Sequence, residues 1–105
     1  MKLKELVSYF KNGGSFEQFC EAHSLDQESE VIEIYMEKPL SFDQNIAFFE
    51  IEKTEGNIEY TTDDIDYSNL FDFYYFLDAI EESNSKKLST EQTTELLYDY
   101  AIRDA

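Results

Sequence analysis

Tryptophan is absent from this chain, and cysteine, histidine and proline occur once each. With Cys20 alone there is no internal disulfide, which points to a reducing, cytoplasmic setting. A zinc site of the usual kind needs about four Cys or His ligands, and Cys20 with His23 supplies two. Those two sit three residues apart beside Phe16 and Phe19, so a packing role on an apolar helical stripe is the simpler reading. The three glycines, at 13, 14 and 56, form no phosphate-binding loop or dinucleotide fingerprint, and no serine-nucleophile elbow is present. No apolar run approaches the ~20 residues of a membrane span, and the N-terminal MKLKELVSYFKNGG lacks the features of a secretory signal. These absences leave an expectation of no catalytic residues, no metal and no cofactor.

Positive charge is the other shortage. Eight Lys and Arg face 24 Asp and Glu, for a net charge of −16, and no basic residue lies between Lys53 and Lys86 or from Gly13 to Glu37. Nucleic acid and anionic membrane surfaces both require a positive face, so neither is expected as a partner. A basic macromolecule is. Hydrophobic residues at 42% and aromatics at 16% of 105 residues argue for one folded domain over residues 1–105 with a real core rather than for disorder.

Leu3, Leu6, Val7 and Phe10 recur at helical spacing and end before Gly13 and Gly14. Ser15 with Gln18 has the form of a capping box opening a second short helix. Residues 31–36, VIEIYM, read as a strand closed by Lys38-Pro39. IAFFEIEK, residues 46–53, reads as a second strand, turned at Glu55-Gly56-Asn57 into a third over Ile58 to Thr61, so 46–61 is expected to be a hairpin. Residues 63–69 read as a polar link, with Asp66, Ser68 or Asn69 capping a third helix whose inner face is Leu70, Phe73, Phe76, Leu77 and Ile80. Phe71, Tyr75, Asp78 and Glu82 then fall on the opposite face. Ser89 with Gln92 starts a last helix, about 90–103, with Thr93, Leu96, Leu97 and Tyr100 inward and Glu91, Glu95, Tyr98 and Ile102 outward. The expected architecture is α+β, a three-stranded antiparallel sheet in sequence order packed by helices, in the order ααβββαα.

The stretch from Glu59 to Glu82 combines carboxylates with aromatics. Clustered carboxylates attract a basic partner, and aromatic side chains anchor interfaces. The candidate contacts are Glu59, Asp63, Asp64, Asp66, Tyr67, Tyr75, Asp78 and Glu82. Asp64-Ile65-Asp66-Tyr67-Ser68 has the alternating oxygens of a calcium loop, but Asn69 stands where its glycine belongs and Tyr75 where its glutamate belongs.

The chain resembles small acidic bacterial immunity proteins, particularly those of contact-dependent growth inhibition systems. The local likeness is the ending TTELLYDYAIRDA, with Glu95-Leu96-Leu97, Tyr100 and Asp104-Ala105, which resembles the terminal helix of a group of small α+β bacterial proteins. Size, acidity and single-domain layout are similar as well. Such proteins share no fold and offer no catalytic residues to transfer. The resemblance implies stoichiometric 1:1 inhibition of a cognate basic toxin, a nuclease in the first instance, whose cleft for a polyanion an acidic plug can occlude. Two alternatives share the charge pattern: a nucleic-acid mimic that inhibits DNA-binding or restriction proteins, and an acidic adaptor for a basic cellular partner.

Overall fold

The first helix, α1 (Leu3–Lys11), buries the expected stripe, Leu3, Leu6, Val7 and Phe10. Its free N-terminal amides are relieved by Glu5, whose carboxylate accepts from the Lys2 backbone N–H at 2.8 Å. Gly13, with φ of 91°, carries the chain out of the helix in a conformation that other residues rarely adopt. Ser15 then caps α2 (Phe16–Ala22) by accepting from Gln18 N–H at 3.3 Å, and Phe19 and Cys20 are buried. These features belong to a computed structural model that describes residues 1–103. Asp104 and Ala105, the final pair of the ending TTELLYDYAIRDA, lie outside the described residues.

The fold is α+β, but the sheet has four strands rather than three. They are β1 (Ile32–Glu37), β2 (Ile46–Glu50), β3 (Glu59–Thr62) and β4 (Ile65–Asp72), all antiparallel and ordered β2-β1-β4-β3. The expected second strand stops at Glu50, and residues 51–54 form one helical turn, α3 (Ile51–Thr54), ended by Glu55 in the left-handed region. The expected hairpin over 46–61 does not form, because β2 and β3 are the two opposite edges of the sheet. Glu55-Gly56-Asn57 closes a crossover between those edges instead.

The true hairpins are β1 with β2 and β3 with β4. Residues 63–69, expected to be a polar link, hold the turn of the second hairpin and most of β4. Asp63 and Asp64 both have positive φ, 52° and 64°, the geometry of a two-residue type I′ turn whose twist matches that of paired strands. Helix α4 (Phe73–Ser85) follows β4 without a loop. Its cap is Asp72, accepting from Tyr75 N–H at 2.7 Å, and not Asp66, Ser68 or Asn69. Leu70 and Phe71 therefore belong to β4, where a bulge opposite Ile34 and Tyr35 lets both enter the core.

The helices cover the sheet face that carries Ile32, Ile34, Met36, Ile46 and Phe48. Phe73, Phe76 and Ile80 of α4 fill that core as expected. The last helix, α5 (Thr90–Arg103), is capped reciprocally by Ser89 and Gln92 at 3.0 and 2.9 Å. Its buried residues are Thr93, Thr94, Leu97 and Ala101. Leu96 and Tyr100, expected inward, are exposed. The helix is thus rotated by roughly 65°, at ~100° per residue, from the orientation its large apolar residues suggest. Small Thr94 and Ala101 face inward because α5 packs against α1 as well as α4, and small side chains permit close approach. At the junction Lys11 donates to Ser83 Oγ and Asn84 Oδ1, both at 2.9 Å, and Ser83 bonds Thr93.

The opposite sheet face forms a second, aromatic layer. Tyr35 is fully buried there, and Phe49 of edge strand β2 meets Tyr60 of edge strand β3 at 4.9 Å between ring centroids. Contact between opposite edges requires a strongly curled sheet. The crossover seals it: Asn57 C=O accepts from Tyr35 Oη, and Glu33 accepts from Asn69 Nδ2 at 2.9 Å and from Thr54 Oγ1 at 3.3 Å.

Candidate functional site

The eight candidate residues fall on two structural units. Glu59, Asp63, Asp64, Asp66 and Tyr67 belong to the β3–β4 hairpin, whereas Tyr75, Asp78 and Glu82 lie on α4.

On the hairpin the four carboxylates are exposed. The type I′ turn holds Asp63 and Asp64 at its tip, and Thr61 Oγ1 donates to Asp66 Oδ1 at 2.7 Å across the strands. Glu59 pairs with Lys38, a surface ion pair of little energetic weight. Ile58, 70% exposed, adds apolar surface beside Glu59. Because Asn69 N–H donates to Ile58 C=O at 2.7 Å, the alternation of the ladder directs the backbone groups of Glu59 and Thr61 away from β4, toward the open edge.

Tyr67 does not share that exposure. Its ring packs on Phe49 at 5.3 Å within the second aromatic layer. Burial pushes its phenol above the ordinary value, and the nearby Glu37 and Asp63 carboxylates push it further. Tyr67 is therefore a floor under the hairpin.

On α4, Tyr75, Asp78 and Glu82 share a stripe at spacings of three and four, facing outward beside α5. Tyr75 stacks on Tyr100 of α5 with centroids 4.4 Å apart and planes 17° off parallel, and contacts Phe71 at 5.7 Å. Next to that stack runs a groove between the helices, lined by Tyr75, Ala79, Glu82, Leu88, Leu96 and Leu97 among others. Lys86 donates to Glu82 at 2.8 Å and holds its carboxyl below the usual range, so Glu82 is charged at neutral pH. Comparison with protein-family models, curated proteins and solved structures finds no match. The site thus rests on its own chemistry.

The residues that sequence patterning misses here are Leu96 and Tyr100. Helical spacing assigns them to the core because large apolar residues in that pattern usually belong there. The signal that marks the true inner stripe is the run of small side chains, Thr93, Thr94 and Ala101, around Leu97. Among the described residues no group of three His, Cys, Asp or Glu side chains is arranged to hold a metal ion, and no helix is long and apolar enough to cross a membrane. Cys20 is buried, and burial together with the Glu50 charge raises its thiol pKa, which disfavours the thiolate.

Proposed function

We propose that this chain is a cytoplasmic immunity protein that binds a cognate basic toxin, a nuclease, 1:1 and occludes its active site. The observation that carries the reading is the β3–β4 hairpin, which presents Asp63, Asp64, Asp66 and Glu59 on a short, turn-locked scaffold within a stretch that has no Lys or Arg between Lys53 and Lys86. A cleft that binds a polyanion is lined with cations, and a preorganised row of carboxylates meets it without a large ordering cost. Charge of this kind acts first on the rate of encounter, which suits an inhibitor that must capture its target on arrival.

The reading predicts that the neighbouring reading frame encodes a protein ending in a basic toxin domain, and co-production with that domain tests it. The wild-type chain is expected to rescue growth and to inhibit the purified nuclease at one equivalent. Replacing Asp63, Asp64 and Asp66 together by Asn is expected to slow association about tenfold at low salt and to flatten its salt dependence. Unchanged stopped-flow rates remove the hairpin from the interface. Titration of several unrelated DNA-binding proteins by the wild-type chain favours nucleic-acid mimicry instead, and capture of a basic partner with neither rescue nor competition by nucleic acid favours the adaptor.

A further inference from the structure

The groove between α4 and α5 has a chemistry that net charge alone does not use. Its volume is about 240 Å³, below the ~300 Å³ at which small-molecule sites begin, so it accepts one or two apolar side chains rather than a ligand of its own. Leu96, 59% exposed, and Tyr100, 40% exposed, extend this apolar surface along α5. Carboxylates flank it on both sides, Asp78 and Glu82 on α4 and Glu95 and Asp99 on α5, all exposed. Lys86 in the lining already pairs with Glu82, which leaves Asp78, Glu95 and Asp99 to meet a partner's cations. Helices of 13 and 14 residues joined by the four-residue segment 86–89 run as antiparallel neighbours. The trough between them is about 20 Å long, the length of a short helix laid along it.

A second copy of this chain is a poor occupant, because it would bring another −16 and the same four carboxylates against these. A cationic helix gains from both features of the surface. We infer that the groove receives one amphipathic helix of the basic partner, its leucine-type side chains against Leu96 and Ala79 and its Lys or Arg residues against the flanking carboxylates. This rests on the reading of the partner as a basic protein and assigns it a second contact, separate from the hairpin.

The probe is a synthetic amphipathic peptide of about 16 residues, leucine every three or four positions with lysine on the flanks, long enough to span the trough. Its control is a scrambled peptide of identical composition with no apolar stripe. Amide correlation spectra of the full chain are expected to shift at Ala79, Leu96 and Tyr100, with 1:1 saturation and affinity about tenfold above that of the control. Leu96→Gln, which keeps the charge and a good helix former, is expected to abolish that tenfold advantage while the melting curve stays unchanged. Equal affinity for both peptides, shifts confined to residues 63–66, or a dimer of the chain alone that Leu96→Gln dissolves would each overturn the assignment. Toxin rescue separates this inference from the reading beneath it. If Leu96→Gln rescues as well as wild type while the hairpin Asn variant does not, the groove is not a partner site and the immunity reading stands. If the wild-type chain does not rescue, the immunity reading falls and the peptide comparison still decides the groove.

Discussion

Leu96 and Leu97 are chemically the same residue in adjacent positions, yet one is 59% exposed and the other 3%. Truncating Leu97 to Ala is expected to cost about 2–5 kcal/mol through lost burial and an unfilled cavity. Truncating Leu96 to Ala should stay within about 0.5 kcal/mol, as for surface positions generally. Urea denaturation of the two variants checks the orientation of α5, and similar costs would contradict it. Features settled within a turn of helix were legible at this scale: the Ser15 and Ser89 caps need only a hydroxyl and the amide three residues on. Which face of α5 turns inward was not legible, because it depends on α1, about eighty residues earlier in the chain. Glu50 gives a second residue-level test. Its largely buried carboxylate accepts from Asp26 N–H at 3.0 Å, and that bond, with Lys53 at 3.2 Å, holds its pKa below the ordinary value despite opposing desolvation and the Glu52 charge. A carboxylate with a lowered folded-state pKa contributes stability above its unfolded value, about 4.3, and loses it as pH falls through the folded value. Glu50→Gln is therefore expected to lower stability at neutral pH and to lose this difference on acidification. A difference unchanged down to about pH 2 would show that Glu50 ionisation is not what the bond stabilises.

Among the elements, the β3–β4 hairpin separates what the chain needs for folding from what it offers a partner. Asp63 and Asp64 occupy positions where Asn followed by Gly is the favoured pair, since both require positive φ. The double substitution Asp63→Asn with Asp64→Gly should stabilise the domain by about 0.5–2 kcal/mol, the range for corrected turn positions. The same change removes two carboxylates from the proposed interface. A variant that melts higher and associates more slowly would show that these aspartates are kept at a cost in stability; one that melts lower would show that the turn is held by contacts other than its backbone preference. This hairpin was hidden in the sequence because Asp-Asp is a weak turn signal beside Glu55-Gly56-Asn57, whose glycine suggested the reversal. Gly56 does take positive φ, 75°, but it serves the end of α3 and a crossover between sheet edges. Pairing of β1 with β4 is a long-range contact tied by Glu33 and Asn69, while Tyr35 reaches Asn57 of the crossover, and no local pattern announces it.

At the scale of the whole molecule, the carboxylate excess was legible from composition, but its distribution over two surfaces was not, because that depends on where β3 and α4 sit in the fold. The radius of gyration is 13.1 Å and the net charge −16. At about 0.01 M salt the Debye length is ~30 Å, so charges across the whole body repel one another; at about 1 M it is ~3 Å and only neighbours interact. Salt also weakens the attractive pairs Lys38–Glu59, Lys53–Glu50 and Lys86–Glu82, but Lys86–Glu82 is exposed on both sides, and exposed pairs contribute about 0–1 kcal/mol each. Relief of repulsion should therefore win, and the melting temperature should rise with sodium chloride, by about 4–8 °C for each kcal/mol gained in a domain of this size. Association with a cationic partner should respond in the opposite direction, since the field that destabilises the compact chain is the field that draws the partner in. Calorimetry and stopped-flow mixing across one salt series decide the matter together. A melting temperature that falls with salt would mean that local ion pairs outweigh the global field, and an association rate indifferent to salt would mean that the field, however large, is not what brings the partner to the surface.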